Sequence, residues 1–405
     1  MYMASASGDR LARRNVLVLA TAQALAGANA SVIFATGAIL GNMLAPSPVL
    51  ATLPISLFMV GMASGALPAG WVARRHGRRA AFVIGCLAGM ACGLMAALAV
   101  YIASFPLLGV ATYFGGIYAG ISQSYRFAAA DSASEAFRPH AIAWVMAGGV
   151  MAGVLGPQLV QATMDVWPPY LFIATYLAQA GVALLAMAVV WQVRMPRPKP
   201  ADTAGARPLA AIVRQPRFIA AAICGTASYV LMNLVMTSAP LAMKICGLTL
   251  RDSNIAIQWH VVAMFAPSFF TGGLVARFGA ERVVAAGLTL TTAAALVGLS
   301  GITAWHFWIC LILLGFGWNL GYIGASAMVL ATHRPSERNK AQACNDFLIF
   351  GFTALGSLAS GQILVRHGWD MINIVTFPVI AISSGVLIFT IAATRAAARR
   401  SPSPA

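Results

Sequence analysis

Long apolar runs broken by short polar stretches dominate the chain. Twelve of them stand near 15–38, 50–73, 80–102, 107–128, 140–161, 170–192, 218–239, 254–275, 283–303, 306–329, 341–364 and 371–394. Each is about 20 residues or more, the length one helix needs to cross a bilayer. The pattern predicts an all-α integral membrane protein with twelve transmembrane helices. The longest polar break, 193–217, contains Arg194, Pro196, Pro198, Pro200, Asp202, Gly205 and Pro208. It is too polar to cross a membrane and too rich in proline for a regular helix. It divides the chain into a six-helix bundle over 1–192, a linker over 193–217, and a second six-helix bundle with a short tail over 218–405.

Composition reinforces the pattern. Of 405 residues, 60% are hydrophobic and 9% charged, with a mean hydropathy of +0.81. Soluble proteins carry about 25% charged residues, so this chain has too few to solvate its surface. A disordered chain, a disulfide scaffold and a coiled coil are excluded on the same ground. The net charge of +16 raises the question of nucleic acid. Placement answers it: when the connections are sorted by side of the membrane, 23 basic residues fall on one side and three, Lys244, Arg251 and Arg366, on the other. The positive-inside rule then places both termini in the cytoplasm. The basic excess is a topology signal, and no nucleic-acid partner is expected. Arg10, Arg13 and Arg14 precede an apolar run too long for a signal-peptide core. The six cysteines have no zinc-ligand spacing.

The two halves repeat each other. Gly70, Arg75 and Gly77 between the second and third runs recur 202 positions later as Gly272, Arg277 and Gly279. Arg138, Ala141 and Ala143 recur 200 positions later as Arg338, Ala341 and Ala343. Gly116 and Gly120 are matched by Gly317 and Gly321. Three matches at nearly one offset predict two parallel repeats.

Twelve helices, a central loop and the gate-loop residues Gly70, Arg74, Arg75, Gly77, Arg78 and Arg79 resemble the major facilitator superfamily over nearly the whole chain. That resemblance implies alternating access around a central site. It also marks a departure, because Arg74 stands where that family usually has an acid that helps lock the cytoplasmic gate.

Ionisable residues inside the spans are few, and each one invites a functional reading. Asp346 is the one acid within a span, a candidate coupling residue or a polar contact of its own helix. His260 is the one histidine well inside a helix. Met232 and Met236 in the seventh run, and His260 and Met264 in the eighth, are each four apart, which puts each pair on one helix face. Depth also agrees, so the two pairs can meet between the outer surface and the midplane. Three thioethers and an imidazole suit a soft ion, above all Cu(I); the alternative is that the methionines fill the core. Gly149, Gly153, Gly156 and Pro157 in the fifth run read first as a close-packing surface.

The paired MxxxM and HxxxM motifs resemble the CcoA-type copper importers. By that resemblance the chain imports copper across a bacterial inner membrane for cytochrome oxidase assembly. Its metal ligands are then Met232, Met236, His260 and Met264. Cys224 and Cys246 resemble the family's cysteine pair, implicated in copper handling and redox state. Copper is the transported substrate, no resident cofactor is expected, and copper chaperones or exporters of oxidase assembly are candidate partners of a monomer. The competing reading is a carrier of an organic solute such as riboflavin or a drug-like compound, with the chain's aromatic residues available for stacking. An enzyme is not expected: there is no phosphate-binding loop of the GxxxxGK[ST] type, and no nucleophile, histidine and acid share a depth.

Overall fold

A backbone in hydrocarbon must pair its own donors and acceptors, and a helix does so within one segment. The computed structural model describes residues 2–125, 128–129, 138–195, 207–334 and 337–400, and among them there are helices and no strand. The first half contains α1 (Tyr2–Leu44), α2 (Leu53–His76), α3 (Arg78–Tyr101), α4 (Phe105–Ser122), α5 (Arg138–Thr163) and α6 (Ile173–Val190). The second contains α7 (Pro216–Ile245), α8 in two segments (Leu250–Phe265 and Ser268–Phe278), α9 (Ala280–Ser300), α10 (Ala304–Leu330), α11 (Arg338–Ile374) and α12 (Thr376–Arg400).

Among the described residues, nine stretches are long and apolar enough to span, and the bent pair that forms α8 makes ten. One of the nine, Cys344–Ala393, is 50 residues long and runs through α11 into α12. Gly368, at φ 77°, divides it into two crossings. The 26-residue α5 is the twelfth helix. One expected span is thus refined, the eighth being broken, while Gly368 falls between the expected eleventh and twelfth.

The repeat is visible in the backbone. Gly77 ends α2 at φ 90°, ψ 159°, and Gly279 ends α8 at φ 86°, ψ 151°. Both occupy a region that disfavours L side chains, so the matching glycines serve one sharp turn made twice.

Part of the expected linker is ordered. Leu209–Val213 forms a short helix with Ile212 fully buried, and Pro216 starts α7 in the first turn, where its missing N–H is harmless. Arg207 anchors this segment. Its guanidinium donates to both oxygens of Glu337, at 2.8 and 2.6 Å, and to the Thr332 carbonyl at 3.1 Å. Glu337 is buried at the N-cap of α11. The Arg207 guanidinium and the Arg334 N–H hold its carboxyl well below the usual carboxylate range.

The halves meet along α5–α8, α2–α11 and α1–α7. A Cβ on Gly153 would lie 2.9 Å from the Val262 nitrogen, and one on Gly149 would lie 2.8 Å from the Phe265 ring. A Cβ on Gly156 would instead meet Ser31 and Ala28 of α1. The glycines of α5 are therefore a packing surface, with Gly149 and Gly153 admitting the opposite half. Further along, Gln158 donates to Gln258 at 2.7 Å and the Thr52 hydroxyl to the Ser357 carbonyl at 2.9 Å. These contacts run from mid-bundle toward the face that carries the α1–α2 and α7–α8 connections.

Candidate functional site

Five aromatic rings from four helices converge in the second half. Tyr229 of α7 makes edge contacts with Trp318 and Tyr322 of α10, at 5.5 and 5.3 Å between centroids, and with Phe350 of α11 at 5.3 Å. Trp318 and Tyr322, one turn apart, are stacked at 5.2 Å with planes 13° apart. Phe265 of α8 completes the group, 6.1 Å from Trp318. Gly321 lets α7 approach α10 here, since a Cβ would collide with the Ser228 hydroxyl. Phe265 rests on Gly149 of the first half, which puts the cluster where the two bundles meet.

An unusual polar stripe continues from this aromatic box. Tyr229, Asn233 and Thr237 are spaced four apart and share one face of α7. Asn233 and Thr237 are fully buried. Neither amide atom of Asn233 has a hydrogen-bond partner, nor does the Thr237 hydroxyl or the buried indole nitrogen of Trp318. Several other span threonines bond back to the carbonyl four residues earlier, as Thr36 does to Val32 at 2.8 Å and Thr353 to Ile349 at 2.6 Å. A buried unpaired polar group costs about 1–3 kcal/mol, and native proteins keep few of them without a purpose.

The box borders a broken helix. Pro267 has no N–H and interrupts α8, whose segments meet at 41°. Asn319 of α10 bridges the break: its amide donates to the Met264 carbonyl at 2.6 Å and the Ser268 hydroxyl at 2.7 Å, and its oxygen accepts from Thr271 at 2.6 Å. Freed backbone groups are satisfied in this way, as irregular backbone in a membrane requires.

Met232, Met236, His260 and Met264 are all buried, and the three methionines belong to the same core as the box. His260 points its Nδ1 at the Leu311 carbonyl of α10, 2.6 Å away. A carbonyl only accepts, so Nδ1 carries the proton, while Nε2 is buried without a partner. Among the described residues, no three of His, Cys, Asp and Glu converge on a point that could hold a metal ion. Cys224 is buried with its thiol 3.7 Å from the Ser383 carbonyl, and Cys246 is half-buried at the end of α7. Both are free. At 1.5 Å per residue they are about 33 Å apart along the axis. Asp346 is half-buried and accepts from Asn345 at 3.3 Å.

In the gate loop, the Arg75 guanidinium lies over Trp71 at 5.4 Å and Arg79 over Trp191 at 4.5 Å. Arg78 opens α3 after the turn at Gly77. The surroundings of Gly70 and the side chain of Arg74 lie outside what is described.

The sequence reading missed Asn233 and the box. The available signal was Tyr229, Asn233 and Thr237 at four-residue spacing, opposite Trp318 and Tyr322 at the same spacing.

The sequence profile described as "Major Facilitator Superfamily" matches residues 19–267 and 221–405. A protein named as a riboflavin transporter, from Brucella anthropi, is 45% identical over 96% of this chain and 98% of its own length. Two uncharacterized transporters of Bacillus subtilis are 26% and 28% identical, the first over 93% of both chains and the second over 90% of this chain and 88% of its own. A solved bacterial homolog of the human lysosomal transporter Spinster superposes with a TM-score of 0.72 at 16% identity, covering 98% of this chain and 99% of its own. At that identity the likeness shows the fold.

These findings overturn copper import. The relative 45% identical nearly end to end is named for riboflavin, and the likeness to copper importers narrows to the superfamily. Oxidase assembly and copper chaperones lose their support with it. The MxxxM and HxxxM spacing misled because methionine also packs cores beside aromatic rings, and here three of the four residues lie in such a core.

Proposed function

The chain belongs to the major facilitator superfamily and is a multi-pass transporter rather than an enzyme; we propose that it carries riboflavin, or a close flavin-like solute, across a bacterial inner membrane. The observation that carries this reading is the 45% identity over 96% of the chain to a riboflavin transporter. The box of Tyr229, Phe265, Trp318, Tyr322 and Phe350 supports it, since flat heteroaromatic rings bind by stacking and edge contacts. Charge supports it as well. Riboflavin is neutral and needs no buried counter-ion, and acids are few within the spans, with Asp346 and the end-lying Glu281 and Asp370 among the described helices.

In this reading the bundles over 1–192 and 218–405 rock around the box, as the superfamily's parallel repeats do. In the same reading both termini lie in the cytoplasm, which the basic excess supports. The α1–α2 connection then faces outward. The bonds Gln158–Gln258 and Thr52–Ser357 join the halves on that outer face.

Growth of a riboflavin-auxotrophic bacterium that lacks its own importer tests the proposal. Expression of the chain should lower the riboflavin concentration needed for growth at least tenfold. An unchanged requirement, with the protein present in the membrane, overturns it.

A further inference from the structure

Resting on the flavin reading above, we propose that Asn233 recognises the imide edge of the ring, while Trp318 and Tyr322 present the surface on which the ring lies. The imide edge of a flavin reads C2=O, N3–H, C4=O, an acceptor, a donor and an acceptor. A side-chain amide offers the complement, one carbonyl acceptor and an NH2 donor. The Asn233 oxygen accepts from N3–H, and its NH2 donates to a flanking carbonyl. This is the bidentate logic by which asparagine reads a base edge. Asn233 is the group to do so because both of its polar atoms are buried and unpartnered.

Position brings the two parts together. Tyr229, one turn before Asn233 on the same face of α7, touches Trp318, Tyr322 and Phe350. A ring lying on the box presents its edge about one helical turn further along α7, roughly 6 Å away. The unpaired indole N–H of Trp318 supplies a second donor for a ring carbonyl or ring nitrogen. Thr237, one turn beyond Asn233, supplies an unpaired hydroxyl on the same stripe. Three unpaired polar groups beside five convergent rings make a small, mostly apolar site with a few orienting groups. Asn233 is fully buried in the form described. Its engagement therefore requires relative movement of the halves, which alternating access provides.

The class of ligand follows: a planar heteroaromatic ring with an unsubstituted imide. A flavin methylated at N3 keeps the shape, stacking and neutrality but loses the donor that Asn233 accepts from.

Uptake of riboflavin and of 3-methylriboflavin is measured side by side in cells expressing the parent chain, Asn233→Ala or Trp318→Phe. The parent should take up riboflavin at least about fivefold faster, the lower end for one bidentate pair. In Asn233→Ala, riboflavin uptake should fall to the level of the methylated analogue and the preference should vanish. Trp318→Phe should lower uptake of both compounds and keep the preference. Equal uptake of the two compounds by the parent overturns the assignment without any variant. A preference retained by Asn233→Ala overturns it too, and both outcomes leave riboflavin transport standing. If Asn233→Ala is absent from the membrane, Asn233→Ser takes its place with the same expected loss of preference. A parent that takes up neither compound defeats the transport reading itself.

Discussion

The first helix of each half contains a buried asparagine, and the two are used differently. Asn29 on α1 is locked to Gln179 of α6: its Nδ2 donates to the Gln179 carbonyl at 3.1 Å, and its oxygen accepts from the Gln179 amide at 2.6 Å. Asn233 on α7 is buried to the same degree and has no partner for either amide atom. On α1 the buried Thr36 is paired as well, with its hydroxyl 2.8 Å from that of Tyr176. The second half leaves Asn233, Thr237 and the Trp318 indole unpaired beside the aromatic box. One residue type thus cross-links two helices in one repeat and is buried without a partner in the other.

The sharpest way to break this contrast is to remove each amide and measure stability. Asn29→Leu removes the 2.6 Å acceptor of the buried Gln179 amide, leaving it the longer bond to the Asn29 backbone carbonyl, and should destabilise the protein by about 1 kcal/mol, read as a lower unfolding temperature in detergent. Asn233→Leu removes an unpaired group instead. It should leave stability unchanged or raise it by up to about 1 kcal/mol while riboflavin uptake falls. Equal destabilisation by both would erase the distinction.

A smaller effect sharpens the contrast within the box. Trp318→Phe keeps a ring and deletes one donor, so uptake should fall about fivefold, the worth of one neutral hydrogen bond of about 1 kcal/mol. The smaller ring loses packing while an unpaired buried donor is removed, so the two effects on the unfolding temperature oppose each other.

The smallest effect lies outside the membrane, where a paired group sits at a half-to-half connection. Glu337 has its carboxyl lowered by Arg207 and the Arg334 N–H. A lowered carboxyl contributes stability that is present above the ordinary carboxylate range and is lost as pH falls through its own lower value. Stability near neutral pH should therefore be flat for this pair. Glu337→Gln should produce a slight loss above the carboxylate range and none in strong acid, in unfolding curves across pH.

Much of the fold was legible in the sequence because membrane crossing imposes length and apolarity on every span. The repeat was legible because Gly77 and Gly279 each take a backbone conformation that disfavours other residues. The break in α8 was written in Pro267 but hidden inside a continuous apolar run. The site was much less legible. His260 bonds a backbone carbonyl 51 residues away, and a backbone acceptor has no sequence signature. The box gathers rings from positions 229 to 350, a convergence that local spacing does not encode. Asn29 and Asn233 look alike in sequence, each an amide deep in an apolar run; the presence of Gln179 beside Asn29 separates them.

The most direct test of the central claim is uptake of radiolabelled riboflavin, with copper measured in parallel, by cells expressing this chain or an empty vector. The account predicts saturable riboflavin uptake well above the vector and copper accumulation equal to it. Copper accumulation above the vector, with riboflavin uptake at background, would contradict it.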